Sequence, residues 1–220
     1  MIRALIFDFD GLILETEEPA YQSWAEVYQS FGLTLPFSTW STIIGTAHGD
    51  FNPRIELQRR VKEWVDWDAV EFRRQTSEQA LIEAQPVLPG VEQYLHDARH
   101  LGLYLGLASS SSCNWVVGHL KRLGLVDYFD CICASDDVHH TKPDPELYQC
   151  VLHGLGVSAE EAIALEDSPN GIRAAKQAGI FCVVVPNPLT RQLTLDQADL
   201  QLGSLAEIPL AQLLSMVNSH

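Results

Sequence analysis

The stretch Ile6-Phe7-Asp8-Phe9-Asp10-Gly11-Leu12 decides how the rest of the chain is read. It closes an apolar run over residues 2–7 and turns abruptly to acid and glycine, as a strand does when it leaves a core for a loop. From about Gly90 onward, four more short apolar runs, over residues 103–108, 129–134, 162–165 and 180–185, alternate with amphipathic stretches. Continuous apolar runs mark strands buried on both faces, and their alternation with helical patterns predicts a parallel, Rossmann-like α/β sheet.

Helix-start signals support this register. Asp144, Pro145 and Glu146 supply a cap, a proline and a first-turn acid ahead of the stripe Leu147, Val151, Leu155. Ser158 with Glu161 forms a capping box, and Ser168-Pro169 precedes Ile172, Ala175 and Ala178, with Gly179 as the stop. Residues 17–85 break the alternation: they hold four of the five tryptophans, helical spacing and no clear buried strand. Gln85-Pro86-Val87-Leu88-Pro89-Gly90 reads as a stiff connector. The expected organisation is an α/β core of residues 1–16 and 86–220 with an inserted α-helical cap of residues 17–85, in which Trp24, Trp40, Trp64 and Trp67 form a small core of their own.

The chain has 220 residues, enough for one large domain or one domain with an insertion. Apolar residues at 46% and charged residues at 20% exclude an intrinsically disordered class. Fourteen Lys and Arg against 29 Asp and Glu give a net charge of −15, which repels nucleic acid and anionic membrane surfaces. No apolar run is long enough to span a bilayer, and Asp8 interrupts the first run too early for a signal peptide; a cytoplasmic location is expected. Cys113, Cys131, Cys133, Cys150 and Cys182 lack metal-site spacing and read as reduced, mostly buried thiols, with Cys131 and Cys133 on the same side of a strand.

In an open parallel sheet, ligands bind beyond the carboxyl ends of the strands. The polar residues found there are Asp8, Asp10 and Gly11 after the first run; Ser109, Ser110, Ser111 and Ser112 after the second; Ser135, Asp136, Asp137 and then Lys142 after the third; and Glu166, Asp167 and Ser168 after the fourth. Several carboxylates around one point need a counter-charge, and hard oxygen ligands suit Mg²⁺. A lysine and small hydroxyls complete a cradle for a phosphoryl group. Within it Asp8 can act as a nucleophile and Asp10 as a proton donor and acceptor. Singly, each feature has a plainer reading: a solvated acidic loop, or a proline-marked helix start. His139 and His140, close to Lys142 in sequence, read as a solvated loop.

Four motifs in order, Ile6-Phe7-Asp8-Phe9-Asp10-Gly11-Leu12, Leu107-Ala108-Ser109-Ser110, Lys142-Pro143-Asp144-Pro145 and Leu165-Glu166-Asp167-Ser168-Pro169-Asn170-Gly171, resemble those of the haloacid dehalogenase superfamily over essentially the whole chain. The helical insertion between the first two resembles the subfamily of β-phosphoglucomutase and small sugar-phosphate phosphatases. The resemblance implies that Asp8 becomes an aspartyl-phosphate, Asp10 is the general acid/base, Ser109 binds phosphoryl oxygens and Lys142 neutralises charge. It also implies that Asp8, the backbone carbonyl of Asp10 and Asp167 bind Mg²⁺, with Glu166 beside the metal. Gly11, Thr16, Ser110 and Asn170, with Gly45, Thr46 and His48 of the cap, are candidate substrate contacts.

Asp10 separates phosphoryl transfer from dehalogenation, since a halide leaves without a proton. Mutase chemistry demands a second phosphate site and a hinge histidine. Ala20 stands where that histidine is expected, and Ile44 and His48 stand where basic cap residues are expected, so hydrolysis is favoured. Glu15 replaces the aspartate usual at the end of the first loop. The expected function is a Mg²⁺-dependent phosphatase for a small phosphorylated metabolite, a sugar or polyol monophosphate, acting as a monomer or weak homodimer. A phosphosugar mutase is the alternative. A non-catalytic phospho-ligand module is a further one, disfavoured because it would have no need to keep both Asp8 and Asp10.

Overall fold

The computed structural model describes residues 1–45 and 51–218. In chain order, β1 (Ala4–Phe7) is followed by the helices α1 (Glu17–Ser30), α2 (Phe37–Trp40), α3 (Pro53–Arg60), α4 (Trp67–Glu83) and α5 (Val91–His100). Then come β2 (Tyr104–Ala108), α6 (Cys113–Leu123), β3 (Cys131–Cys133), α7 (Glu146–Leu155), β4 (Ala162–Glu166), α8 (Pro169–Gln177), β5 (Phe181–Val184), β6 (Leu200–Gln201) and α9 (Leu210–Val217). The strands form one parallel sheet in the order β3-β2-β1-β4-β5-β6, with Ala4 level with Tyr104 on one side and Ala162 on the other.

Each apolar run of the sequence supplies a strand; β1 and β4 are buried throughout and β2 is buried after Tyr104, because both faces are covered, whereas β3 at the sheet edge is half-buried at Cys131 and Ile132. Leu5, Phe7, Leu105, Leu107, Ile163 and Leu165 face α5, α6 and α9, while Ala4, Ile6, Ala108, Ala162 and Ala164 face α7 and α8. The described residues from 17 to 83 contain only helices and turns, as the spacing predicts. The two chain segments joining this insertion to the sheet run side by side: Leu14 bridges Val87 in antiparallel fashion, and the Leu88 N–H donates to the Ile13 carbonyl at 2.9 Å. No helix among the described residues is long and apolar enough to cross a membrane.

Three local expectations need correction. Cys133 and Cys150 form a disulfide, because β3 and α7 bring their Cα atoms to 6.3 Å, a proximity that a separation of 17 residues in sequence does not reveal. Of the free thiols, Cys182 is buried, Cys131 half-buried and Cys113 exposed. Trp24 and Trp40 are buried in the core of the insertion and Trp67 packs at its rim against Phe31, but Trp64 is 89% exposed in the link between α3 and α4. That core also takes in Leu189, from the loop after β5, so it is shared with the sheet domain.

Candidate active site

The sheet delivers its strand ends to one place. The Asp8 N–H donates to Leu165 O at 2.9 Å and the Ser109 N–H to Cys133 O at 3.0 Å, so both side chains leave from ladders that are still paired. Lys142, only 1% exposed, donates to Asp8 Oδ1 at 2.5 Å and to Glu166 Oε1 at 2.7 Å. Tyr148 donates its hydroxyl to the same Glu166 oxygen at 2.6 Å, and the Asn187 amide donates to Asp167 Oδ2 at 2.8 Å. Carboxylate oxygens of Asp8, Glu166 and Asp167 lie within 4.8 Å of one another, all three residues buried.

Burial raises the Asp8 carboxyl to about 7; Lys142 pulls it down, and Glu166 and Asp10 push it up. Burial, then Asp8 and Glu166, hold Asp167 well above the usual carboxylate range. Lys142 is raised by Asp8 and Glu166 against the opposing effect of its own burial. One ammonium therefore serves a buried cluster of three acids. The donor set is all oxygen, so it fits a hard divalent cation such as Mg²⁺, with Asp8, Glu166 and Asp167 available to hold it.

Asp8 and Asp10 open onto one cavity of about 200 Å³ between the sheet and the insertion, walled also by Glu17, Glu78 and Trp115. Burial, followed by Asp10, Glu15 and Asp8, pushes Glu17 up to about 8. The chain matches the haloacid dehalogenase-like hydrolase family over residues 5–185. It belongs to that family. This hydrolase is 47% identical to YhcW of Bacillus subtilis, named as a candidate phosphatase, over 220 residues and the full length of both chains. It is 31% identical over 182 residues to the phosphorylated carbohydrates phosphatase of Thermotoga maritima, covering 81% of this chain and 82% of that one. Its structure is similar to that of β-phosphoglucomutase from Clostridium difficile, with a TM-score of 0.78, 26% identity and coverage of 100% and 98%.

In this hydrolase the residues singled out from the motifs divide into groups. Asp8, Lys142, Glu166 and Asp167 meet directly or through a shared partner, and Ser109 Oγ sits 3.4 Å from Asp10 Oδ2. Thr16 donates to Asp10 Oδ1 at 2.8 Å. The Gly11 N–H donates to Leu14 O at 2.8 Å, and the glycine lies against the Asp167 carboxylate. Asn170 donates to Ile44 O at 2.7 Å and Ser110 to Gly45 O at 3.3 Å, so here both tie the insertion to the sheet domain. Gly45, at φ +75°, approaches Ser168 so closely that a Cβ would lie 2.3 Å from its hydroxyl. Thr46 and His48 lie outside the described residues. Glu15 caps α1, accepting the Glu17 and Glu18 N–H groups at 3.0 Å each. His139 and His140 are exposed, as a solvated loop requires.

Trp115, Tyr148 and Asn187 are not among the residues expected from the motifs or the strand ends named above, whereas Ser111, one of those strand-end residues, donates to Asp10 Oδ2 at 2.6 Å. Asn187 follows the fifth apolar run by two residues, so the strand-end rule reaches it once all five runs are followed. Tyr148 hides in an apolar helix stripe, where only its hydroxyl hints at a partner.

Proposed function

We propose that this hydrolase is a Mg²⁺-dependent phosphatase acting on a sugar or polyol monophosphate through an aspartyl-phosphate at Asp8. The observation that carries the reading is that Asp8, tied to Lys142, and Asp10, held by hydroxyl donors, open onto the same small cavity. In the first step Asp8 attacks phosphorus, the ester P–O bond breaks, and Asp10 gives its proton to the leaving oxygen. In the second, Asp10 takes a proton from water as that water attacks the acyl-phosphate, releasing inorganic phosphate and restoring Asp8. Lys142 balances charge on the transferring oxygens and Ser109 hydrogen-bonds them; Mg²⁺, which Asp8, Asp167, Glu166 and the Asp10 carbonyl would hold, would supply the remaining positive charge. Residues 17–85 act as a cap that closes over the cavity to exclude water and reopens for product release.

Hydrolysis rather than mutation of a phosphosugar is supported by the cavity wall. Ala20 lines it where a hinge histidine would stand, and no Lys or Arg is among its described lining residues. A second phosphate would meet Glu17 and Glu78. Sugar- and carbohydrate-directed chemistry is in line with the name of the Thermotoga relative. The test is a panel of sugar, polyol and nucleoside monophosphates with Mg²⁺, run on wild type and Asp8→Asn. Release of phosphate from a sugar or polyol monophosphate, lost in Asp8→Asn and on Mg²⁺ removal, is expected. Substantial turnover by a folded Asp8→Asn protein would refute the nucleophile.

A further inference from the structure

Trp115, the one tryptophan outside the insertion, sits in the first turn of α6, whose cap Ser112 accepts the Trp115 N–H at 3.4 Å. Its ring meets His119 edge-on at 4.4 Å between centroids. His119 in turn stacks on Phe9, the buried residue that precedes Asp10, at 6.2 Å. The indole is thus braced by His119 of its own helix, which is braced in turn by the loop that carries Asp10. From there Nε1 donates to Asp10 Oδ1 at 3.0 Å, the oxygen that also accepts from Thr16 at 2.8 Å. The other oxygen, Oδ2, meets Ser111 Oγ at 2.6 Å and Ser109 Oγ at 3.4 Å.

A carboxylate oxygen offers two lone-pair sites, and both on Oδ1 are taken. A hydroxyl can turn from donor to acceptor; an indole can only donate. A proton on Oδ1 leaves that oxygen one acceptor site and requires Thr16 to turn and accept, whereas a proton on Oδ2 leaves both donors to Oδ1 in place and finds serine oxygens able to accept it. We infer that Trp115 is a positioning residue: by holding Oδ1 it orients the Asp10 carboxyl so that Oδ2, the oxygen beside Ser109 and Ser111, is the one presented for proton transfer. This rests on the reading of Asp10 as general acid/base. In the first half-reaction the proton passes from Oδ2 to the leaving oxygen as the ester bond breaks; in the second, Oδ2 takes the proton of the attacking water. Trp115 acts through Asp10.

The test separates leaving groups. An alkoxide leaves only with a proton, whereas p-nitrophenolate leaves without one, and kcat/KM reports the steps through P–O cleavage. Trp115→Phe keeps a ring against His119 and removes the donor. A benzothienylalanine at position 115, which replaces the indole N–H by sulfur without changing the ring's shape, does the same if the Phe protein does not fold. Both are expected to lower kcat/KM for the best alkyl monophosphate of the panel about tenfold, and for p-nitrophenyl phosphate by less than about twofold. Trp115→His, which retains a ring N–H, is expected to recover part of the loss. Asp10→Asn serves as the reference and shows the largest split between the two substrates. Equal losses on both substrates, or none on either, with the Asp10→Asn split intact, overturn the role of Trp115. Absence of that split in Asp10→Asn overturns the acid/base reading instead.

Discussion

Lys142 shows how much a single residue carries. Among the described residues it is the one cation in direct contact with Asp8 and Glu166, and with Asp167 close by the cluster holds more acid than one ammonium can balance. In metal-free protein Asp8, raised from 3.8 to about 7, and Glu17, raised from 4.5 to about 8, bind protons more tightly folded than unfolded. Their contribution to stability is complete below the unfolded values and is lost as pH rises through the folded ones. The thermal midpoint of metal-free wild type, measured against Asp8→Asn so that Glu17 is common to both, is therefore expected to fall between about pH 4 and about pH 7, and excess Mg²⁺ to remove most of that fall. A difference that does not change with pH, or that Mg²⁺ leaves untouched, would contradict the charge imbalance. Asp8, Asp10, Lys142 and Asp167 were legible because each ends or follows an apolar run. Trp115 and Tyr148 were not, because what matters about them is the atom their polar tip reaches, and that atom lies on another element.

At the scale of elements, the start of α8 positions acid against helix. Ser168 caps it, its Oγ accepting the Gly171 N–H at 3.1 Å, and Pro169 occupies the first turn, both as the sequence predicts. Gly171 has a reason the sequence does not disclose: a Cβ there would lie 1.9 Å from Glu166 Oε2. Gly118, on the exposed side of α6, has nothing within 4 Å of such a Cβ. The same substitution should therefore change sign between the two helices. Gly171→Ala is expected to destabilise by about 1–3 kcal/mol through overpacking, and Gly118→Ala to stabilise by up to about 1 kcal/mol through helix propensity, both read from urea unfolding. Matching effects would mean that the contact with Glu166 is relieved by a small shift. The strands followed their apolar runs, with ends displaced by at most two residues, whereas β6 escaped notice because two residues, Leu200 and Gln201, make no pattern.

For the whole molecule, the charge of −15 first excluded polyanionic partners and then bears on kinetics. On the proposed function, a monophosphate approaching this surface would be repelled until it is close to Lys142 and the proposed metal. Raising ionic strength from about 10 mM to about 200 mM at saturating Mg²⁺ screens that repulsion, so kcat/KM for the preferred monophosphate is expected to rise by about twofold. A steep fall with salt would instead indicate electrostatic attraction. The order of the motifs, the parallel sheet, the helical insertion after the first strand and the acidic strand ends were all determined by the sequence alone. Burial on two faces, helix capping and strand-end chemistry are local and leave marks within a few residues. The pairing of Cys133 with Cys150, the sharing of Leu189 with the core of the insertion, and the hold of Trp115, Tyr148 and Asn187 on the acids were decided only by the tertiary structure. Each joins residues far apart in the chain, where a distance of a few ångströms is set by packing and leaves no periodicity to read.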